Sequence, residues 1–90
     1  MKIDSIELTK DFRKQLHKLP PRKVQKAIRT IKEFDNNPFS PRLRLHELKG
    51  GLANLYSISA GGDLRLHFEF ILVGNVARFV AIGTHAQLYK

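Results

Sequence analysis

The chain has 90 residues, of which 42% are hydrophobic, and it contains no cysteine. This length and composition predict one small globular domain spanning residues 1–90. The lack of cysteine excludes disulfides and thiolate metal sites, and no apolar run approaches the roughly 20 residues of a membrane span. The first residues show no secretory pattern, so we expect a cytoplasmic protein without membrane contact.

Positive charge dominates the chain and is unevenly distributed. There are 16 Lys and Arg residues against 8 Asp and Glu, a formal net charge of +8. Residues 1–50 carry most of the excess, with 13 basic and 6 acidic side chains. A basic surface on so small a domain attracts phosphate backbones or an acidic protein.

The first half of the chain predicts a strand followed by a helical hairpin. Residues 2–7 form a short edge strand, and Thr9 then offers its hydroxyl as a helix N-cap. Pro20-Pro21 ends the first helix, and Pro21 also suits the first turn of the second. Asn36-Asn37-Pro38 ends the second helix. The apolar stripes of the two helices follow helical spacing: Phe12, Leu16 and Leu19, then Val24, Ala27, Ile28, Ile31 and Phe34.

The second half predicts strands, because the apolar period changes to two after Pro41. The first strand includes Leu43 and Leu45, the second spans residues 52–59, and the third follows Gly61-Gly62. A last strand over residues 76–82 is apolar on both faces, which indicates an interior position. Residues 85–90 are expected to form a tail. The predicted fold is α+β, a small antiparallel sheet in the order β-α-α-β-β-β with the helical hairpin on one face.

Five polar side chains stand out on or beside these strands. Asp63, Arg65 and His67 alternate with apolar residues and therefore share one face of a strand. Cross-strand ion pairs, each contributing at most ~1 kcal/mol, explain that row as well as a functional site does. His46 and His85 each stand where a strand gives way to a turn, a common place for catalytic groups. Their spacing fits no metal-binding motif, so we predict neither metal nor cofactor.

Cleavage of RNA without a metal makes definite chemical demands. A base takes the proton of the 2′-hydroxyl, an acid protonates the leaving 5′-oxygen, and cations stabilise the phosphorane. Histidine suits either proton role, and arginine binds phosphate oxygens bidentately. An aromatic ring can hold a splayed base by stacking. The chain contains a side chain for every role: His46, Asp63, Arg65, His85 and Tyr89.

Three segments carry a family resemblance. Residues 43–50 read Leu-Arg-Leu-His-Glu-Leu-Lys-Gly, residues 62–66 read Gly-Asp-Leu-Arg-Leu, and residues 82–89 read Ile-Gly-Thr-His-Ala-Gln-Leu-Tyr. In this order they resemble the L-x-x-H-x-L-K-G, D-hydrophobic-R-hydrophobic and G-T-H-x-x-hydrophobic-aromatic motifs of the YafQ-like branch of the RelE/ParE superfamily. These proteins are toxins of type II toxin–antitoxin systems.

The resemblance implies an endoribonuclease that cleaves mRNA on the ribosome and so inhibits translation. The family's catalytic histidines and aspartate correspond to His46, Asp63 and His85. The resemblance leaves open which residue acts as the base and which as the acid. Arg65 matches an arginine that RelE-type members use to stabilise phosphate, and Tyr89 matches the aromatic residue that holds RNA.

The chain departs from YafQ-like toxins at one position. They often carry a further histidine a few residues before the motif aspartate, whereas this chain has Ser59 and its neighbours. His67 is a possible substitute, and it is also counted among the expected substrate-binding residues, with Tyr89, Arg42, Arg44 and Lys49. The resemblance further implies contacts with ribosomal RNA from Arg22, Lys23 and Lys26.

The resemblance also implies partners and leaves alternatives open. The partners are a cognate acidic antitoxin, mRNA and the ribosome, with operator DNA bound only through the antitoxin. One alternative is a ParE-like toxin that inhibits DNA gyrase, and another is a non-catalytic homologue that only binds its antitoxin. The set of His46, Asp63 and His85 favours the ribonuclease, because a pure binding protein does not need it.

Overall fold

The computed structural model describes residues 1–89. One-turn 3-10 helices occupy Pro41–Leu43 and Gly50–Leu52. No helix in this part of the chain is long and apolar enough to cross a membrane. The other elements, in chain order, are β1 (Ser5–Leu8), α1 (Lys10–His17), α2 (Pro21–Asn36), β2 (His46–Glu47), β3 (Leu55–Ser59), β4 (Leu64–Ile71), β5 (Val76–Thr84) and α3 (His85–Leu88).

The five strands form one sheet in the order β1-β5-β4-β3-β2. The α+β class and the interior position of the last strand are confirmed. The sheet is mixed rather than antiparallel, however, because β1 runs parallel to β5, with Ser5 opposite Val76 and Leu8 opposite Phe79. The chain between β1 and β5 includes both helices and three further strands, so it is long enough to allow parallel pairing of the two. The period of apolar residues is the same for parallel and antiparallel strands, so the sequence could not predict this direction.

Both helices begin where their capping residues predict. The Thr9 hydroxyl accepts a hydrogen bond from the Phe12 amide at 3.1 Å, and α2 starts at Pro21. Phe12 and Phe34 are fully buried, as the apolar stripes predict. Ile28 was also predicted on the α2 stripe, but it is 42% exposed because the sheet covers a narrower part of that helix.

Aromatic rings join the helices to the sheet. Phe34 of α2 lies 5.0 Å from Phe68 of β4 and 5.5 Å from Phe79 of β5, between ring centroids. Phe12 of α1 lies 5.7 Å from Phe79. Each such pair contributes about 0.5–1.5 kcal/mol beyond the burial of apolar area. The core therefore occupies one face of the sheet and leaves the opposite face to other residues.

Two segments differ from their predicted structure. The region around Leu43 and Leu45 is not a strand, because Pro41 starts a 3-10 helix and Arg44 adopts a left-handed conformation (φ 50°, ψ 44°). Residues 85–88, predicted as part of a tail, form α3. A reciprocal capping box stabilises it: the Gln87 amide donates to Thr84 Oγ1 at 3.2 Å, and the Thr84 amide donates to Gln87 Oε1 at 2.8 Å.

Candidate active site

The sheet face opposite the two long helices carries a row of four aligned residues. His46 of β2 pairs with Ser57 of β3, Ser57 pairs with His67 of β4, and His67 pairs with Ala81 of β5. Directly opposed residues point to the same face of a sheet. Ser57 and Ala81 are small, so the imidazole of His67 has room on both sides. An irregularity after His67 leaves Val80 as the extra residue of β5 and brings Ala81 into the row.

His67 lies at the centre of this face and is buried, with only 1% of its surface exposed. Its Nε2 is 3.2 Å from the Tyr89 hydroxyl, and the two rings meet edge to face at 5.3 Å. Burial lowers the pKa of His67 below 6.5, and the nearby charges of His46 and His85 lower it further. This face of the sheet is therefore closed to solvent at His67, and the imidazole is neutral at pH 7.

His46 lies on the edge strand and is exposed to solvent. Its Nδ1 is 2.8 Å from the backbone oxygen of Arg44. A carbonyl oxygen can only accept a hydrogen bond, so Nδ1 carries the proton and Nε2 of the neutral ring keeps a free lone pair. The left-handed turn at Arg44 therefore sets the tautomer that a general base requires.

His85 and Asp63 meet where β5 passes into α3. The His85 amide donates to the Asp63 backbone oxygen at 3.1 Å and lies 3.4 Å from Asp63 Oδ1. The exposed His85 imidazole stacks on the Tyr89 ring, with centroids 4.2 Å apart and planes 25° from parallel. Asp63 therefore holds the main chain of His85, while Tyr89 holds its ring.

Arg65 extends away from the histidines toward the turn between β3 and β4. Its Nη1 donates to the Gly62 oxygen at 2.9 Å, to the Leu64 oxygen at 3.1 Å and to Ser59 Oγ at 3.3 Å. Its guanidinium lines a cavity together with Arg42 and Arg44.

The other basic residues predicted to bind RNA lie on the surface. All four are exposed and form no salt bridge within residues 1–89: Arg22, Lys23, Lys26 and Lys49. The first three follow one another along α2, and the fourth precedes a 3-10 helix. Within the same residues, no group of three or more His, Cys, Asp or Glu side chains is arranged to hold a metal ion.

Ser57 is a site residue that sequence reasoning missed. It is fully buried, and its Oγ has no hydrogen-bond partner in the part of the chain that the structure describes. It lies in the row between His46 and His67. Only the register of three strands reveals this position, since a lone serine in a strand carries no signal of its own.

No family model and no curated protein matches the sequence. Solved structures are similar over nearly its whole length. YafQ from E. coli strain BL21(DE3) shares 22% identity over 99% of this chain and 100% of that chain, with a TM-score of 0.79. The RelBE2 toxin–antitoxin complex of Mycobacterium tuberculosis shares 25% identity over 90% and 96%, with a TM-score of 0.67. The chain has the fold of the RelE/ParE toxins.

These matches confirm the predicted RelE-like fold. A further match is the E. coli DinJ–YafQ toxin–antitoxin complex, with 21% identity, full coverage of both chains and a TM-score of 0.76. In this chain the fold brings His46, His67, His85 and Tyr89 to one face of the sheet. Arg65 lies on the same face, two residues before His67 on β4.

Proposed function

We propose that the protein is the toxin of a type II toxin–antitoxin pair and acts as a metal-independent endoribonuclease that cleaves mRNA on the ribosome. One arrangement carries this proposal: the exposed His46 and His85 flank the buried, neutral His67 on one sheet face. A base and an acid on a shared, solvent-accessible face are the groups that phosphodiester cleavage by proton transfer requires.

The tautomer of His46 supports its assignment as the base. Its Nε2 takes the proton of the 2′-hydroxyl, the 2′-oxygen attacks the adjacent phosphorus, and the bond from phosphorus to the 5′-oxygen breaks. The His85 imidazolium gives its proton to that 5′-oxygen. The products are a 2′,3′-cyclic phosphate and a 5′-hydroxyl end, so atoms and charge balance without a further reactant.

The remaining site residues support this pair. Asp63 is a positioning residue, because its oxygens accept from the His85 amide rather than from the imidazole. Tyr89 holds the His85 ring by stacking and offers its other ring face to an RNA base. Arg65 contributes positive charge beside the phosphate. His67, a neutral imidazole between the two, takes the place of the family histidine that is missing near Ser59.

The partners follow from charge and from the solved relatives. DinJ–YafQ and RelBE2 were solved as toxin–antitoxin complexes, and a formal charge of +8 suits an acidic antitoxin. Operator DNA is then bound only through that antitoxin. We assign mRNA contacts to Arg42, Arg44 and Lys49, and ribosomal RNA contacts to the exposed α2 residues Arg22, Lys23 and Lys26. Growth of cells that express the protein tests the antitoxin partner. Co-expression of an antitoxin encoded beside the gene should restore growth, and continued growth arrest would contradict this partner.

Primer extension on a reporter mRNA tests the activity. The protein, its His85→Ala variant and a His17→Ala control are induced in turn, with reporters that have or lack a start codon. His17 is an exposed histidine of α1 that lies outside the site. We expect cuts that depend on translation, persist in His17→Ala and fall by about 10²–10⁴-fold in His85→Ala.

Other outcomes are equally informative. Cuts that need His85 but not a start codon indicate a ribonuclease that acts on free RNA. Growth arrest without cuts contradicts the ribonuclease and directs attention to gyrase, whose supercoiling activity is then measured with the purified protein. Neither cuts nor arrest indicates a homologue that only binds its antitoxin.

A further inference from the structure

A cavity of about 410 Å³ lies between α2, the 3-10 helix that begins at Pro41, and the turn between β3 and β4. Three arginines line it, and we call it the arginine pocket: Arg42, Arg44 and Arg65. Its volume falls in the range of about 300–1,000 Å³ typical of small-molecule sites. One nucleotide therefore fits within it.

The charge of the arginine pocket is not neutralised by the protein. Glu33 is the only carboxylate among its lining residues. That carboxylate accepts a hydrogen bond from the Ser40 hydroxyl and lies 3.8 Å from Arg42 Nη2. Arg44 and Arg65 form no salt bridge within residues 1–89. Two of the arginines that line the cavity therefore have no counter-charge within these residues.

One of these groups is held in place before any ligand arrives. All the hydrogen bonds that Arg65 donates within residues 1–89 come from Nη1, which leaves Nε and Nη2 for a ligand. The floor beside it is open, because a Cβ built on Gly61 or Gly62 would meet no atom within 4 Å. A fixed guanidinium beside open space suits a planar or tetrahedral anion.

Two residues connect the arginine pocket to the histidine face. Arg65 precedes His67 by two positions on β4, so both share a face at a spacing of about 6.8 Å. Arg44 is one of the residues that line the pocket, and its backbone oxygen accepts from His46 Nδ1. An RNA strand with its cleaved bond at the histidines therefore extends into the pocket. A single RNA strand carries a phosphate at about this spacing of 6.8 Å, so one phosphate can lie at the histidines and the next in the pocket. This match favours RNA over an acidic peptide as the ligand.

We propose that the arginine pocket binds the phosphate next to the one cleaved at the histidines, so that the protein requires a flanking nucleotide. This inference rests on the proposed function and names the part of the substrate that the pocket recognises. Arg44 and Arg65, which have no salt-bridge partner within residues 1–89, supply the charge for the flanking phosphate, with Arg65 on the side of the cleaved bond. The exposed Arg42 lies at the edge of the pocket.

The test measures binding rather than cleavage. The probe is a short RNA spanning the strongest cut in the reporter, with 2′-O-methyl at the cleaved nucleotide to prevent reaction. Each flanking phosphate is replaced in turn by an uncharged methylphosphonate. We expect one replacement to weaken binding to the unaltered protein about tenfold or more, as for loss of a charged hydrogen bond. The same replacement then has little effect on Arg44→Gln or Arg42→Gln.

Controls keep the outcomes distinct. Arg29→Gln alters an exposed α2 arginine outside the pocket, and it should respond like the unaltered protein. Arg42→Gln guards against misfolding, because the Arg42 side chain is 87% exposed. Equal methylphosphonate effects in all variants overturn the proposal, as does Arg44-dependent binding of a hexaglutamate peptide without any methylphosphonate effect. Reporter cuts that persist in His85→Ala, together with intact phosphate coupling, refute the ribonuclease alone.

Discussion

The hydroxyl of Tyr89 lies 3.2 Å from Nε2 of His67, so the residue after α3 covers a histidine in the middle of the sheet. The Tyr89 ring also stacks on the imidazole of His85, with the ring centroids 4.2 Å apart. The position of α3 thereby controls both the burial of one imidazole and the orientation of another.

Removing the Tyr89 ring should restore the ordinary pKa of His67. Burial is the main cause of the lowered pKa, so Tyr89→Ala raises it toward about 6.5. Tyr89→Phe keeps the ring and raises it less. NMR titration of the imidazole protons measures both. Tyr56→Phe is the control, because Tyr56 stacks on Phe68 instead. An unchanged His67 pKa in Tyr89→Ala would refute the covering role.

The lowered pKa of His67 also predicts a pH dependence of stability. Well above about pH 6.5 His67 is neutral in both the folded and the unfolded chain, and its full contribution to the free energy of unfolding is present. Below that pH the unfolded chain binds the proton first, so the free energy of unfolding falls until the pH reaches the lower pKa of the folded state.

Urea denaturation between about pH 5 and pH 8 measures this slope. His67→Gln should reduce it, because glutamine does not titrate. His17→Gln is the control substitution, since His17 is exposed in the last turn of α1. Identical slopes for His67→Gln and the unaltered protein would show that other groups cause the pH dependence.

Asp63 is predicted to act by position rather than by proton transfer. Asp63→Asn keeps an oxygen that accepts from the His85 amide, so it should retain most of the cleavage activity. Asp63→Ala loses the side-chain acceptor but keeps the backbone oxygen, so it should cleave more slowly by roughly tenfold at most. The pH–rate profile separates the two roles: a limb that disappears in Asp63→Asn would mean that the carboxylate itself transfers a proton.

Gly83 is predicted to be required for the placement of α3. A Cβ at this residue would lie 2.8 Å from Gln87 Oε1, the atom that accepts from the Thr84 amide. Gly83→Ala should therefore push the Gln87 side chain off the Thr84 amide, which costs about 0.5–2 kcal/mol for loss of the cap and loosens the placement of His85 and Tyr89. Thermal unfolding and reporter cleavage measure the two effects.

A matched glycine substitution serves as the control for this prediction. Gly51 has open space around its Cβ position and no positive φ, so Gly51→Ala should preserve both stability and cleavage. Combining Gly83→Ala with Gln87→Ala removes the clash but not the loss of the cap. Full activity in Gly83→Ala alone would show that α3 tolerates displacement.

The helices were readable from the sequence because their signals are local. Thr9, Pro21 and the stripe that includes Phe12 and Phe34 act within a few residues of one another, so spacing alone located α1 and α2. The strand that contains His67 was equally clear from its alternation. Where a local rule is overridden, as at Arg44 with its left-handed backbone, the predicted strand around Leu43 was wrong.

The order of residues along the chain was enough to predict the α+β class, the basic surface and the candidate residues His46, Asp63 and His85. The parallel pairing of β1 with β5, the position of Ser57 between two histidines and the burial of His67 by Tyr89 became visible in the folded chain alone. These two groups of features differ in the distance along the chain over which they are set. Capping and periodicity depend on neighbouring residues, whereas register, burial and pKa depend on residues that the fold brings together from distant positions.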